Sequence, residues 1–294
     1  MATPAESCSP GDPPAPRGHC ARYLATIGIA AVLAVVGAAA VIHVRLQRDR
    51  LAHRLLADLP DAAGRDPALV RFAAAEAKPL FAEHCAVCHG ANMRGNTTLG
   101  APDLTDRVWL YGDGSVYDIE RTVLYGIRAG VSHTRDISYM PAFGLKGTFR
   151  YQGVYGYDGK VVGGAALTQG QIWDLVQYLL KVNHRPYQAE AAELGEQLSY
   201  EAKTSCRDCH APDLEGIADY GAPNLTINVW NNGSTPEDLY HDIYFGVRHM
   251  MPAWRGVLTL EQIRALAVYL HSVSRPKRAE QPISRSPPAP MESE

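Results

Sequence analysis

Residues 85–89 read Cys-Ala-Val-Cys-His, and residues 206–210 read Cys-Arg-Asp-Cys-His. The two strings are landmarks of a longer duplication. Gly100–Trp109, GAPDLTDRVW, returns at the same offset as Gly221–Trp230, GAPNLTINVW. YGIR at 125–128 returns as FGVR at 245–248, and MPAF at 140–143 as MPAW at 251–254. LTQGQIWDLVQYL at 167–179 returns as LTLEQIRALAVYL at 258–270. Order is kept throughout, so the chain carries two related domains of ordinary size, expected at 67–184 and 185–274. The first copy alone holds AGVSHTRDIS before its Met-Pro. It also has an insertion, Gly144–Ala166, whose alternating Tyr and Gly predict a short hairpin or ordered loop.

The periodicity inside each copy is helical. Asp66-Pro67 has the form of an N-cap followed by a first-turn proline, opening an apolar-periodic helix that runs into Cys85. Ile172, Leu175, Val176 and Leu179 share one helical face, as do Ile263, Leu266, Ala267 and Leu270. Shorter helices are predicted over Ser115–Tyr125 and Pro236–Phe245. Each copy therefore opens and closes with a helix, and a short linker at Asn183–Gln188 joins the copies.

A bare Cys-x-x-Cys fits zinc, thiol–disulfide exchange or haem attachment. The adjoining histidine separates them. Two thiols at this spacing can form thioethers to the two vinyl groups of a haem, and the next residue can then ligate the iron. Zinc would need a second ligand pair in each copy, and none is near. A thioredoxin-like motif belongs in a βαβ setting, whereas this one is helical. The expected cofactors are two covalently bound haem c groups, held by Cys85 and Cys88 with His89, and by Cys206 and Cys209 with His210. Met with His is the usual electron-transfer ligand pair. Met140 and Met251 occupy equivalent positions before Pro-Ala-aromatic and are the candidate sixth ligands. His133, His249 and Met250 lie nearby as alternatives. Arg128 and Arg248 are candidates for pairing with haem propionates. Trp109 and Trp230 are expected at the haem edge or in the core.

Outside the duplication, residues 23–44 form a run free of Asp, Glu, Lys and Arg, with no polar face, long enough to cross a bilayer. It leads straight into the charged RLQRDRLAHR without a small-residue cleavage site, which argues against a signal peptide. The expected layout is a tail at 1–22, a span at 23–44, a stalk at 45–66 and a Pro- and Ser-rich tail at 275–294. Arg17 and Arg22 precede the span, while Arg45, Arg48, Arg50 and Arg54 follow it. Charge counting would put the following side in the cytoplasm. Covalent haem attachment requires the opposite and is given precedence, which leaves Cys8 and Cys20 in the reducing compartment. The 294 residues carry a net charge of -3, with 20% charged and 46% hydrophobic residues. This excludes a mainly disordered chain or a disulfide scaffold, and gives no basic patch for nucleic acid.

Taken together, FAEHCAVCHG, GAPDLTDRVWLYG, IRAGVSHTRDISYMPAFG, GAPNLTINVW and FGVRHMMPAWRGVLTLEQIRALAVYLHSV resemble the dihaem P subunit (subunit III) of cbb3-type cytochrome c oxidase. The resemblance covers roughly Asp66–Val273. It implies a mainly α fold, with one N-terminal transmembrane helix followed by two tandem class I-like cytochrome c domains. It also implies ligand pairs His89–Met140 and His210–Met251. The implied partners are a haem–copper catalytic subunit, a monohaem cytochrome c subunit, and soluble cytochrome c or another electron donor. The implied location is the bacterial inner membrane, single-pass, with the haem domains in the periplasm. On this reading the chain is no enzyme alone and passes electrons towards oxygen reduction. The alternatives are a free anchored dihaem shuttle, and a dihaem peroxidase with one open iron, against which two equivalent Met-Pro loops argue. Gly28, Gly37 and many Ala in the span suit close helix packing and favour a subunit.

Overall fold

The computed structural model describes residues 18–145, 149–152, 158–161 and 166–274; most of the N-terminal tail, with Cys8, and the whole C-terminal tail lie outside the described residues. The first element, α1, runs Gly18–Ala57 as one 40-residue helix. It begins before the expected Tyr23 and does not stop at the end of the apolar run. The Arg-, Leu- and Ala-rich stalk contains good helix formers and no breaker before Pro60. Its apolar portion is long enough to cross a membrane, and the apolar side chains Ile27, Val32, Leu33, Val36 and Val44 are exposed.

The turn-rich stretch after α1 contains a short helix, α2 (Pro60–Arg65). Asp66 then caps α3 (Pro67–Leu80) as expected, its carboxylate accepting from the Ala68 amide at 2.7 Å and the Leu69 amide at 3.3 Å. Leu69, Phe72, Ala73 and Ala77 form the buried face of α3. Pro79 lacks the N–H that would continue the ladder, and a π turn, Phe81–Cys85, follows before α4 (Ala86–His89). Next come α5 (Val116–Tyr125), capped by Ser115, and an antiparallel pair of strands, β1 (Phe149–Gln152) with β2 (Asp158–Val161), in the insertion. The helices that close the copies are α6 (Gln169–Val182) and α10 (Leu260–Val273). Both start with a reciprocal Thr–Gln capping box, Thr168 with Gln171 and Thr259 with Gln262. Between them lie α7 (Ala189–Tyr200), α8 (Cys206–His210) and α9 (Pro236–Phe245).

Packing does not follow the order of the copies. The closing helix of the first copy, α6, packs on α7 and α9 of the second. The closing helix of the second copy, α10, packs on α2, α3 and α5 of the first. One core therefore joins Ile172, Leu175, Val176 and Leu180 to Leu198, Leu239 and Ile243. In the other half, α10 is buried along the whole stretch Ile263–Leu270, as expected of a helix surrounded by neighbours. Its arginine, Arg264, pairs with Glu120 of α5 and donates to the Leu55 and Asp58 carbonyls at 3.0 and 3.1 Å. Those carbonyls belong to the end of α1, where orphan acceptors need donors. The linker at 183–188 is thus a turn inside one half, and the sequence boundary near residue 184 is not the packing boundary.

Candidate functional site

Each Cys-x-x-Cys-His string occupies a short helix that ends on its histidine. The ring is fixed by a carbonyl from the Gly-Ala-Pro string of its own copy. His89 Nδ1 lies 3.1 Å from the Pro102 oxygen, and His210 Nδ1 lies 3.0 Å from the Pro223 oxygen. A carbonyl there selects the tautomer with its proton on Nδ1 and leaves Nε2 with a lone pair for a metal. Burial pulls both imidazoles below the ordinary histidine pKa, against the opposing effect of the proline carbonyls, so both rings are neutral at pH 7. Burial also pushes the Cys85 thiol up to about 11 and raises Cys206 and Cys209. Reactive redox thiols are tuned downward instead. All four cysteines are outside any disulfide. Among the described residues no three His, Cys, Asp or Glu side chains converge as a metal site.

The methionines arrive crosswise. Met251 forms a two-way backbone bridge with Ile127, both bonds 3.0 Å, and Met140 forms the equivalent bridge with Val247 at 3.2 and 3.1 Å. Ile127 and Val247 are the matching residues of the two G-[IV]-R strings, so each Met-Pro strand pairs with the other copy. Glycine is needed beside each bridge. Gly126 and Gly246 sit at φ +67 and +72, and an added Cβ would collide with the Met251 and Met140 carbonyls respectively. Downstream, the Trp254 amide bonds the Val123 carbonyl of α5, and the Phe143 amide bonds the Ile243 carbonyl of α9, both at 3.0 Å. The Trp254 ring meets the ring of His84, next to Cys85, at 5.2 Å. The Ser138 side chain hydrogen-bonds to Cys209.

The expected pairs were His89–Met140 and His210–Met251, and the backbone bridges set each methionine beside the other copy. Met251 lies in the half that holds His89, and Met140 in the half that holds His210. The physical cause is the exchange of closing helices, because each Met-Pro strand travels with the helix that follows it. One largely apolar cavity of about 530 Å³ is lined by both cysteine pairs, both histidines and both methionines. These are the walls a haem requires: thiols at vinyl spacing, a neutral imidazole, a thioether and apolar surroundings.

Of the nearby alternatives, His249 and Met250 also line the cavity, and His133 does not. His133 is exposed and leans on Tyr125, and His249 Nε2 faces Asn232 Oδ1 at 2.7 Å. Met250 is 63% exposed, whereas Met251 is half-buried and is the one held by the bridge to Ile127. Trp109 and Trp230 both line the cavity, and the Trp230 indole donates to Asn228 at 2.9 Å. Arg128 spends its donors on protein groups: the His249 carbonyl at 2.6 Å, and the Tyr111 hydroxyl and Ser138 carbonyl at 3.1 Å each. The Arg248 guanidinium lies over the Tyr139 ring, 4.7 Å from its centre. Tyr111, Ser138 and Asn232 were invisible as site residues in the sequence, because nothing local marks a polar group that bonds across copies.

Each copy of the repeat matches a known family model. Residues 74–183 match the family model described as cytochrome c, and residues 190–270 match the one described as cytochrome c oxidase, cbb3-type, subunit III. The cbb3-type cytochrome c oxidase subunit FixP of Bradyrhizobium sp. (strain ORS 278) is 34% identical over 230 residues, which cover 78% of this chain and 70% of the relative. The subunit CcoP of Rhodobacter capsulatus is 32% identical over 228 residues, 75% and 69% of the two chains. CcoP of Azospirillum brasilense is 35% identical over 211 residues, 70% and 63%.

Proposed function

This chain belongs to the family of cbb3-type cytochrome c oxidase subunits named CcoP or FixP, and from that premise we propose that it is an electron relay with two haem c sites, His89–Met251 and His210–Met140. Membership makes it an electron-transfer subunit of an oxidase complex, anchored in the membrane and carrying covalent haem c. The count of two rests on the two motifs, each with its own clamped imidazole. The observation that supports the ligand pairs is the crosswise bridging of the methionine strands.

When bound, each haem supplies a one-electron centre. The chain's own residues do the rest. Cys85, Cys88, Cys206 and Cys209 tether the group through thioethers. Pro102 and Pro223 hold the imidazoles in a ligating tautomer. Met140 and Met251 offer thioether sulfur, which raises the reduction potential relative to a second imidazole. Apolar walls keep water from the metal. The chain does no oxygen chemistry itself. It takes electrons from a soluble cytochrome c or another donor and delivers them to a haem–copper catalytic subunit, beside a monohaem cytochrome c subunit. The domains lie on the periplasmic side of a bacterial inner membrane, because c-type haem is attached outside the cytoplasm.

Solubilised in mild detergent, the protein should co-purify with a haem–copper core that consumes oxygen. Isolation as a single polypeptide, with membrane oxygen uptake unchanged when its gene is removed, would make it a free anchored shuttle instead. A reporter fused after Ser274 should be active only in the periplasm. The ligand pairs are read by removing one haem. With Cys206 and Cys209 changed to Ala, Met251→His should lower the potential of the remaining haem and abolish its near-infrared thioether band, whereas Met140→His should leave both intact. The reverse result would restore the pairing within each sequence copy.

A further inference from the structure

Arg128 is the residue on which both methionine strands converge. Its Nε donates to the carbonyl of His249, two residues before Met251, and its Nη1 donates to the carbonyl of Ser138, two residues before Met140. The same Nη1 reaches the hydroxyl of Tyr111, a side chain only 7% exposed. The Tyr111 ring lies against Gly221, and the His249 ring against Gly100; an added Cβ on either glycine would overlap it. Gly100 and Gly221 each stand two residues before the proline whose carbonyl holds a histidine. One guanidinium therefore connects the methionine side of both sites with the segments that fix both imidazoles.

Arg128 reaches this place at a conformational cost. Its φ is +49, a left-handed backbone that residues with a Cβ avoid and that surrounding structure must enforce. The enforcing element is the segment 129–138, which the second copy lacks. Ile127 bridges Arg135 in parallel, and the Arg128 amide donates to the Arg135 carbonyl at 3.1 Å. Arg135 is itself anchored to Asp118 at 2.7 Å and Thr122 at 3.0 Å. The equivalent Arg248 has no left-handed backbone and stacks over Tyr139. A duplicated arginine has thus been given a second task in one copy only, by an insertion that also supplies one of its acceptors, Ser138.

We propose that Arg128 is a positioning residue that sets both methionine strands at once, so that the two haem sites are adjusted together. The proposal rests on Met140 and Met251 being ligands. Removing a charged donor shifts a local open–closed equilibrium by roughly tenfold or more. Arg128→Ala should therefore raise the methionine-off fraction of both haems about tenfold.

The test uses the full-length, detergent-solubilised dihaem protein, first with its native sequence. Near-infrared thioether absorbance from both ferric haems establishes the ligand reading; its absence sinks that reading separately. In Arg128→Ala, both reduction potentials should fall, both near-infrared bands should weaken, and the ferrous protein should bind carbon monoxide at both haems. Lys181→Ala, which removes an ion pair on the α6–α7 surface, should change none of these. If Arg128→Ala does not accumulate, Arg128→Lys is measured in its place. A compact ammonium cannot span both carbonyls and Tyr111 as the guanidinium fork does, so both potentials should again fall, by less. A shift confined to one haem, or two unmoved potentials, in a protein with native thioether bands overturns the proposal.

Discussion

Cutting the chain where its sequence repeats should destroy both sites. A fragment of residues 54–184 contains the first Cys-x-x-Cys-His string, Met140 and α6, and would be a complete domain if each copy folded on itself. In the structure its haem-binding half lacks α10. That helix places Ile263, Leu266, Val268 and Leu270 at 0%, 1%, 0% and 6% exposure. At about 1.5–3 kcal/mol for each buried aliphatic side chain, their loss removes roughly 6–12 kcal/mol. A small domain has only about 5–15 kcal/mol in total. The fragment would also expose the face of α6 that α7 and α9 cover, and leave Glu120 without Arg264. Calorimetry and near-infrared spectra of exported 54–184 should show no cooperative transition and no thioether-ligated haem. Co-expression with 185–274 should restore both, because the two pieces interleave. A cooperative melt for 54–184 alone, with a thioether band that Met140→Ala abolishes, would refute the exchange of closing helices.

Three further outcomes follow from local features. Arg264→Ala leaves Glu120 and the Leu55 and Asp58 carbonyls without their buried donor and should cost about 3–5 kcal/mol by urea titration, most of which Arg264→Met combined with Glu120→Leu should recover. Gly100→Ala must bear φ +62 and a methyl overlapping the His249 ring, so it should lower the melting temperature and shift the potential of the haem at Cys85 and Cys88. The Arg54 side chain, together with the Ala68 amide, holds the Asp66 carboxyl below the ordinary aspartate value. Its stabilisation is present above that value and disappears as pH falls through the lower folded value. Asp66→Asn should therefore flatten the acid limb of a stability–pH curve while keeping the cap, and an unchanged limb would count against the Arg54 contact.

Most of the elements could be read from residues close together in the chain. Asp66-Pro67 marks the start of α3, the apolar faces mark α6 and α10, and the repeated strings locate every candidate ligand. The partnering could not be read this way. Duplication writes the same apolar face twice, with Ile172, Leu175 and Val176 in one copy and Ile263, Leu266 and Ala267 in the other, so either closing helix satisfies either core. Local pattern has no term that chooses between them. A signal did exist in the linker. With so few residues between α6 and α7, these two helices are the natural neighbours, since consecutive elements usually pack together. The role of Arg128 was hidden for a related reason: its acceptors are backbone carbonyls, which every sequence offers everywhere.

The exchange of helices also sets an order in time. His89 and Met251 are about 160 residues apart in the chain. At about 5–20 residues per second, ribosomes need roughly 8–30 s to make that stretch. Until Met251 and α10 have followed, the half around Cys85 and Cys88 lacks one wall, and its thiols stay open to whatever modifies them. The second half suffers no such delay, because Met140 and α6 are already waiting when Cys206 emerges. A chain built this way completes its last-made motif first and its first-made motif last.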